Sequence, residues 1–96
     1  MIKDQILNFL GLAMRAGKVK SGESVILNDI KTKKIKLVIV ATDASENTFK
    51  VMKDKCKSNH IPIRCFGTRA DLGGALGKGE RVNIGVTEFG FAKKLL

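Results

Sequence analysis

The sequence predicts an α/β protein: a three-layer α-β-α sandwich around a mixed sheet of roughly four strands. Three observations carry that expectation. Apolar residues recur at helical spacing in several segments divided by short turns. The run Leu37-Val38-Ile39-Val40-Ala41 is β-branched and has no polar alternation, the pattern of a strand covered on both faces. Helices and strands also alternate along the chain, so a helix is available to cover each side of the sheet.

Ile2, Ile6, Phe9, Leu10 and Ala13 form one stripe of a helix over residues 2–15, and Gly17 fits its C-cap. Lys18-Val19-Lys20-Ser21-Gly22 reads as a short connection. A second helix runs from Glu23 to about Lys31, with Val25, Ile26 and Ile30 as its stripe and Ser21 as a plausible N-cap. The buried strand 37–41 follows. Ser45 can cap a third helix from Glu46 to about Ser58. Ile61 to Phe66 reads as a strand with Pro62 near its start. Asp71 to Leu76 is a short helix closed by glycines. Arg81 to Thr87 alternates as the last long strand, and Glu88 to Leu96 returns to helix. Phe9, Phe49 and Phe66 fit the core. No repeat, linker or low-complexity stretch divides residues 1–96, so one domain is expected.

The charge is the unusual property. Eighteen Lys and Arg stand against nine Asp and Glu, a net charge of +9. Such a surface attracts polyanions. No apolar run reaches the roughly 18 residues of a membrane-spanning helix, and no charged leader with an apolar core opens the chain. A cytoplasmic protein is expected. Of the polyanions, folded RNA fits best. Single-strand binders stack bases on exposed aromatics, and this chain has no Trp or Tyr and five Phe. Helix ends and loops gripping a shaped nucleic acid remain.

Catalytic and metal motifs fail on inspection. Cys56, His60 and Cys65 are spaced C-x3-H-x4-C, but structural zinc takes four ligands and no second pair exists, so both cysteines are expected as buried free thiols. Leu72-Gly73-Gly74-Ala75-Leu76-Gly77-Lys78-Gly79 lacks the first glycine and the Ser or Thr of a P-loop. Close helix packing followed by a turn accounts for it. No serine or cysteine stands in a nucleophile motif, and His60 is the lone histidine. We expect no enzyme, metal or cofactor.

Three basic groups compete for the polyanion. Lys31-Thr32-Lys33-Lys34-Ile35-Lys36 sits where a helix ends, which suits its dipole. Lys50, Lys53 and Lys57 share a solvated helix face. Lys18 and Lys20 adjoin Ser21-Gly22 at a helix start, where open N–H groups and a glycine admit phosphate.

Several strings in their order resemble the ribosomal-protein superfamily that recognises kink-turn RNA, typified by "L seven-Ae" and "L thirty-e". They are Lys20-Ser21-Gly22, the run Lys36 to Ala44, Ile61-Pro62 and Leu72-Gly73-Gly74-Ala75-Leu76-Gly77. Gly11 to Lys18, Asp43 to Thr48 and Gly90 to Leu95 are most similar to its short bacterial members of the YlxQ type. The resemblance implies a non-catalytic RNA-binding protein near translation. It implies an RNA-contacting set of Lys18, Lys20, Ser21, Gly22, Glu23, Ser24, Asn28, Lys31, Thr68 and Arg69.

The family motif G-x-N-E-x-x-K is met here by Gly22 alone; Ser24, Val25 and Asn28 occupy its three polar positions. One bidentate base contact gives about 1–3 kcal/mol of discrimination, so specificity for the kink-turn should be altered. The second RNA loop is implied at Gly67 to Asp71, with Thr68 and Arg69 closing the far side. Ribosomal RNA is the expected partner and a monomer the expected state. The rival expectation is a protein-interaction module on the same fold, with Val25 and Leu27 as its apolar contact.

Overall fold

The computed structural model describes residues 2–96. The chain runs α1 (Lys3–Arg15), β1 (Val19–Ser21), α2 (Glu23–Lys31), β2 (Leu37–Val40), α3 (Glu46–Ser58), β3 (Ile63–Cys65), α4 (Arg69–Ala75), β4 (Asn83–Val86) and α5 (Phe89–Leu95). The four strands form one mixed sheet in the order β1-β4-β2-β3. β2 and β3 are parallel, and β4 is antiparallel to both β1 and β2. The expected three-layer α-β-α architecture is the one observed.

Alternation along β2 explains the layers. Leu37 and Ile39 point to one face and join Leu10, Ala13, Leu72 and Ala92 of α1, α4 and α5. Val38 and Val40 point to the other and join Ile26, Ile30, Met52 and Cys56 of α2 and α3. An apolar run without alternation is therefore what a strand between two helical layers requires.

Several boundaries differ from the sequence reading, each for a local reason. The segment read as a connection contains β1, which pairs Val19 with Val86, Lys20 with Gly85 and Ser21 with Ile84. Three residues with a lysine at their centre carry no periodicity; the ladder to β4 makes the strand. Ser21 is consequently not a helix cap. Gly22 is, at φ +101° and without any side-chain cap bond. β4 does not alternate between buried and exposed. All four of its residues are buried, because it lies between two strands and beneath two helical layers. Gly85 leaves room there for Ile35, whose Cδ1 would stand 2.7 Å from an added Cβ.

The ends of α3 and α4 show the caps at work. Ser45 Oγ accepts from the Thr48 amide at 3.1 Å, as the sequence predicts. α4 begins two residues before the expected Asp71, because Thr68 and Asp71 form a reciprocal capping box. Gly73 packs that helix tightly, since an added Cβ would overlap the Gly79 carbonyl and stand 2.9 Å from Glu80 Cα. Cys65 is exposed rather than buried, because β3 is an edge strand; Cys56 lies in the core, where burial pushes its thiol up to about 11. Phe9 sits at the core's rim, its ring 5.2 Å from that of Phe91.

Candidate nucleic-acid interface

The strand directions bring four chain positions to one edge of the sheet. β1, β2 and β3 run the same way, so they end together at Ser21, Val40 and Cys65, where β4 begins with Asn83. At this end a cavity of about 620 Å³ opens between the start of α2 and the segment leading into β4. Ser21, Gly22 and Glu23 line one side; Lys78, Glu80, Arg81 and Asn83 line the other, so two carboxylates stand among the donors.

Arg81 organises the cavity. Its Nε donates to Ser21 Oγ at 3.2 Å, and its Nη1 donates to the carbonyls of Gly79 (3.1 Å) and Glu80 (2.9 Å). Its own amide donates to the Arg69 carbonyl at 3.1 Å. The guanidinium is thereby held in place through Nε and Nη1, which leaves its Nη2 to donate to a phosphate oxygen. Asn83 is 2 % exposed, and its Nδ2 has no hydrogen-bond partner among the described residues. A buried amide donor is rarely left unpaired, and this one lines the cavity. The uncapped first turn of α2 adds open N–H groups and the positive end of the helix dipole. Donors thus converge on one opening. That arrangement can hold an anionic or carbonyl-rich ligand.

The structure distributes the expected site residues over more than this cavity. Ser21, Gly22 and Glu23 line it, and Ser24 is exposed on the same first turn of α2. Lys20 is exposed on β1, its Nζ 3.8 Å from Asp29 Oδ2. Asn28, one residue before Asp29, is exposed. Lys18 precedes β1 and stands roughly 13 Å from Gly22 along the extended chain. Lys31 closes α2 at its far end, again roughly 13 Å away by helix rise. Thr68 is engaged in its cap, and Arg69 is tied to Asp43 through its amide (2.9 Å) and its Nε (3.5 Å). Neither lines the cavity; Arg69 reaches it through the carbonyl that holds Arg81.

Lys78, Arg81 and Asn83 were missed in the sequence. The signal for Asn83 was an asparagine in a strand otherwise rich in Val and Ile, where it is disfavoured; Lys78 and Arg81 carried none. Among the described residues, no group of three His, Cys, Asp or Glu is placed to hold a metal, and no helix is long and apolar enough to cross a membrane.

Residues 4–96 match the Ribosomal protein L7Ae/L30e/S12e/Gadd45 family. The chain belongs to this family. It is 46 % identical over 87 residues to the "RNA-binding protein YlxQ" of Bacillus subtilis (strain 168), covering 91 % of this chain and 87 % of that protein. It is 42 % identical over 92 residues to the protein of the same name from Enterococcus faecium, covering 96 % and 88 %. Among solved structures, "a protein with unknown function from Bacillus halodurans C" superimposes with a TM-score of 0.92 at 43 % identity, covering 94 % of this chain and 91 % of that one. None of these family and protein names is that of an enzyme. The family resemblance read from the sequence is therefore correct, down to its YlxQ-type branch.

Proposed function

We propose that the protein binds structured RNA, without catalysis, through the cavity at the Asn83 end of the sheet. One observation carries the reading: a buried, unpartnered Asn83 amide and a fixed Arg81 guanidinium line one cavity at the start of α2. Arg81 and Lys78 take phosphate, and Asn83 and Ser24 take an acceptor on a splayed base or its sugar. Thr68 and Arg69 act by holding the loop that carries Arg81. Lys18, Lys20 and Lys31 add long-range attraction, and Asn28 contacts the RNA beyond the first turn of α2. With Val25 and Asn28 in place of polar base readers, the favoured target is kink-turn-like in shape but less strictly sequence-defined. The family's ribosomal description supports ribosomal RNA as the class to test first, with the protein acting as a cytoplasmic monomer.

Fluorescence anisotropy with a labelled kink-turn RNA and a matched plain duplex tests this. Tighter binding to the bent RNA, a fall with added salt and a loss with Arg81→Glu are expected. Affinity that ignores salt, or that survives Arg81→Glu combined with Lys20→Glu, removes the site. The protein-docking alternative has less support. Val25 is 42 % exposed, but Leu27 packs against the α2–α3 core, leaving a single side chain rather than a patch.

A further inference from the structure

The opposite end of the sheet holds a second basic surface that RNA binding at Asn83 does not use. There the chain enters β2 and β3 and leaves β4, and a groove of about 430 Å³ lies between these connections and α5. Its floor is apolar: Ile35, Ile61, Pro62 and Ala92. Phe89 and Leu96 stand at its rim, 65 % and 54 % exposed. Lys33, Lys36, Asn59 and His60 complete the lining, and no acidic side chain contributes to it. Among the described residues, none of Lys33, Lys34 and Lys36 enters an ion pair.

The backbone marks the same place independently. α1 and α4 are each followed by a glycine in the left-handed region, Gly17 at φ +74° and Gly77 at φ +70°. α2 and α3 are followed instead by Lys33 at φ +62° and His60 at φ +58°, the two non-glycine residues with positive φ among those described. An L side chain is disfavoured there, and glycine is the usual solution. The cap bonds do not need these side chains. Lys33 N–H donates to the Ile30 carbonyl and His60 N–H to the Lys57 carbonyl, bonds that glycine would make equally. Neither side chain makes a hydrogen bond of its own among the described residues. Both line the groove. Backbone strain of this kind gathers at binding and switch surfaces.

We propose that this groove docks an acidic peptide segment of a partner protein. An apolar anchor packs between Phe89 and the Ile61–Pro62 floor, while flanking carboxylates face Lys33, Lys36 and His60. The apolar floor favours a peptide over a nucleic acid, which needs successive stacking platforms and phosphate donors at its base. The groove lies at the other end of the sheet from Gly22, so the peptide and the RNA can be held together. The proposal stands whether or not the Asn83 cavity binds RNA.

The test selects random twelve-residue peptides displayed on phage against the intact protein, then measures the enriched peptides by fluorescence anisotropy. Enrichment of Leu or Phe flanked by Asp and Glu is expected. Phe89→Ala, and the double variant Lys33→Gly with His60→Gly, should each weaken binding at least tenfold. The double glycine variant should at the same time melt higher than the parent, which shows that binding and not folding was lost. Lack of acidic–apolar enrichment overturns the proposal. So do peptides that bind both variants as well as the parent, a double variant that melts lower, or displacement of the peptide by single-stranded oligouridine at matched affinity.

Discussion

The two ends of the sheet meet the same backbone problem with different residues. At the Asn83 end the left-handed positions are Gly22, Gly67 and Gly77. At the other end they are Gly17, Lys33 and His60. An added Cβ at Gly22 or Gly77 would meet nothing within 4 Å, so neither glycine is there for want of space. Backbone conformation demands them, and at Gly22 a bare backbone also lets a ligand reach the N–H groups of α2. At the far end, side chains are kept where glycine would be easier. The difference separates a surface that presents its main chain from one that presents cations around an apolar floor.

Charge reversal at the first end should have the largest effect. Arg81→Glu removes a fixed cation, breaks its bond to Ser21 and places a carboxylate in the cavity. Loss of a charged hydrogen bond and added repulsion together predict a fall of about 100-fold or more in RNA affinity, near 3 kcal/mol. Titration by anisotropy checks it, and peptide binding at the far groove should not change. Gly73→Ala comes next. Its methyl group would collide with the Gly79–Glu80 backbone, and overpacking of this kind destabilises by about 1–3 kcal/mol. Urea unfolding should show a lower midpoint. RNA binding should weaken as well, because the displaced backbone carries two acceptors of Arg81.

The far end supplies a change of opposite sign. Lys33→Gly and His60→Gly should each stabilise the fold by about 0.5–1 kcal/mol, the penalty for a side chain in the left-handed region less the extra freedom of unfolded glycine. Thermal melting reads this directly. A matching gain from replacing Gly17 would be inconsistent with the comparison, since alanine there should destabilise.

Legibility in the sequence followed the range of the interactions. β2 was readable because burial on both faces writes itself into five consecutive residues. Ser45 was readable because a cap and its helix are neighbours in sequence. Gly22 was found through its place at a helix start. β1 was not readable, since three residues hold no period and its existence depends on pairing with β4. The same pairing hid half of the site. Ser21 and Arg81 are 60 positions apart and meet because Ser21 lies opposite Ile84. Conversely, Lys18 was grouped with Gly22 by sequence proximity and Lys31 by the family resemblance, whereas an extended strand and a helix set each of them roughly 13 Å from it. Closeness along a chain is a poor guide wherever the segment between two residues is straight.

A further effect concerns how the first end is anchored. Asp71 accepts from the Thr68 amide at 3.0 Å and pairs with Lys3 at 3.0 Å. The bond from the Thr68 backbone, first, and the Lys3 ammonium, second, hold its carboxyl below the usual carboxylate range. A lowered folded-state value means the ionised form favours the fold. Its contribution is therefore present above the ordinary aspartate range and is lost as pH falls through the lowered folded value. Asp71→Asn should weaken the fold at neutral pH, and the gap to the parent should close on acidification. Thr68→Ala removes the other half of the capping box, and its deficit of about 1 kcal/mol should depend on pH less than that of Asp71→Asn, because the Thr68 side chain is a lesser cause of the lowering at Asp71. Because Arg81 N–H bonds to the Arg69 carbonyl in the first turn of α4, loosening that turn should also free the Arg81 loop. Hydrogen exchange at Arg81 should then accelerate in both variants at neutral pH, while the amides of Lys33 and His60 at the other end keep their rates.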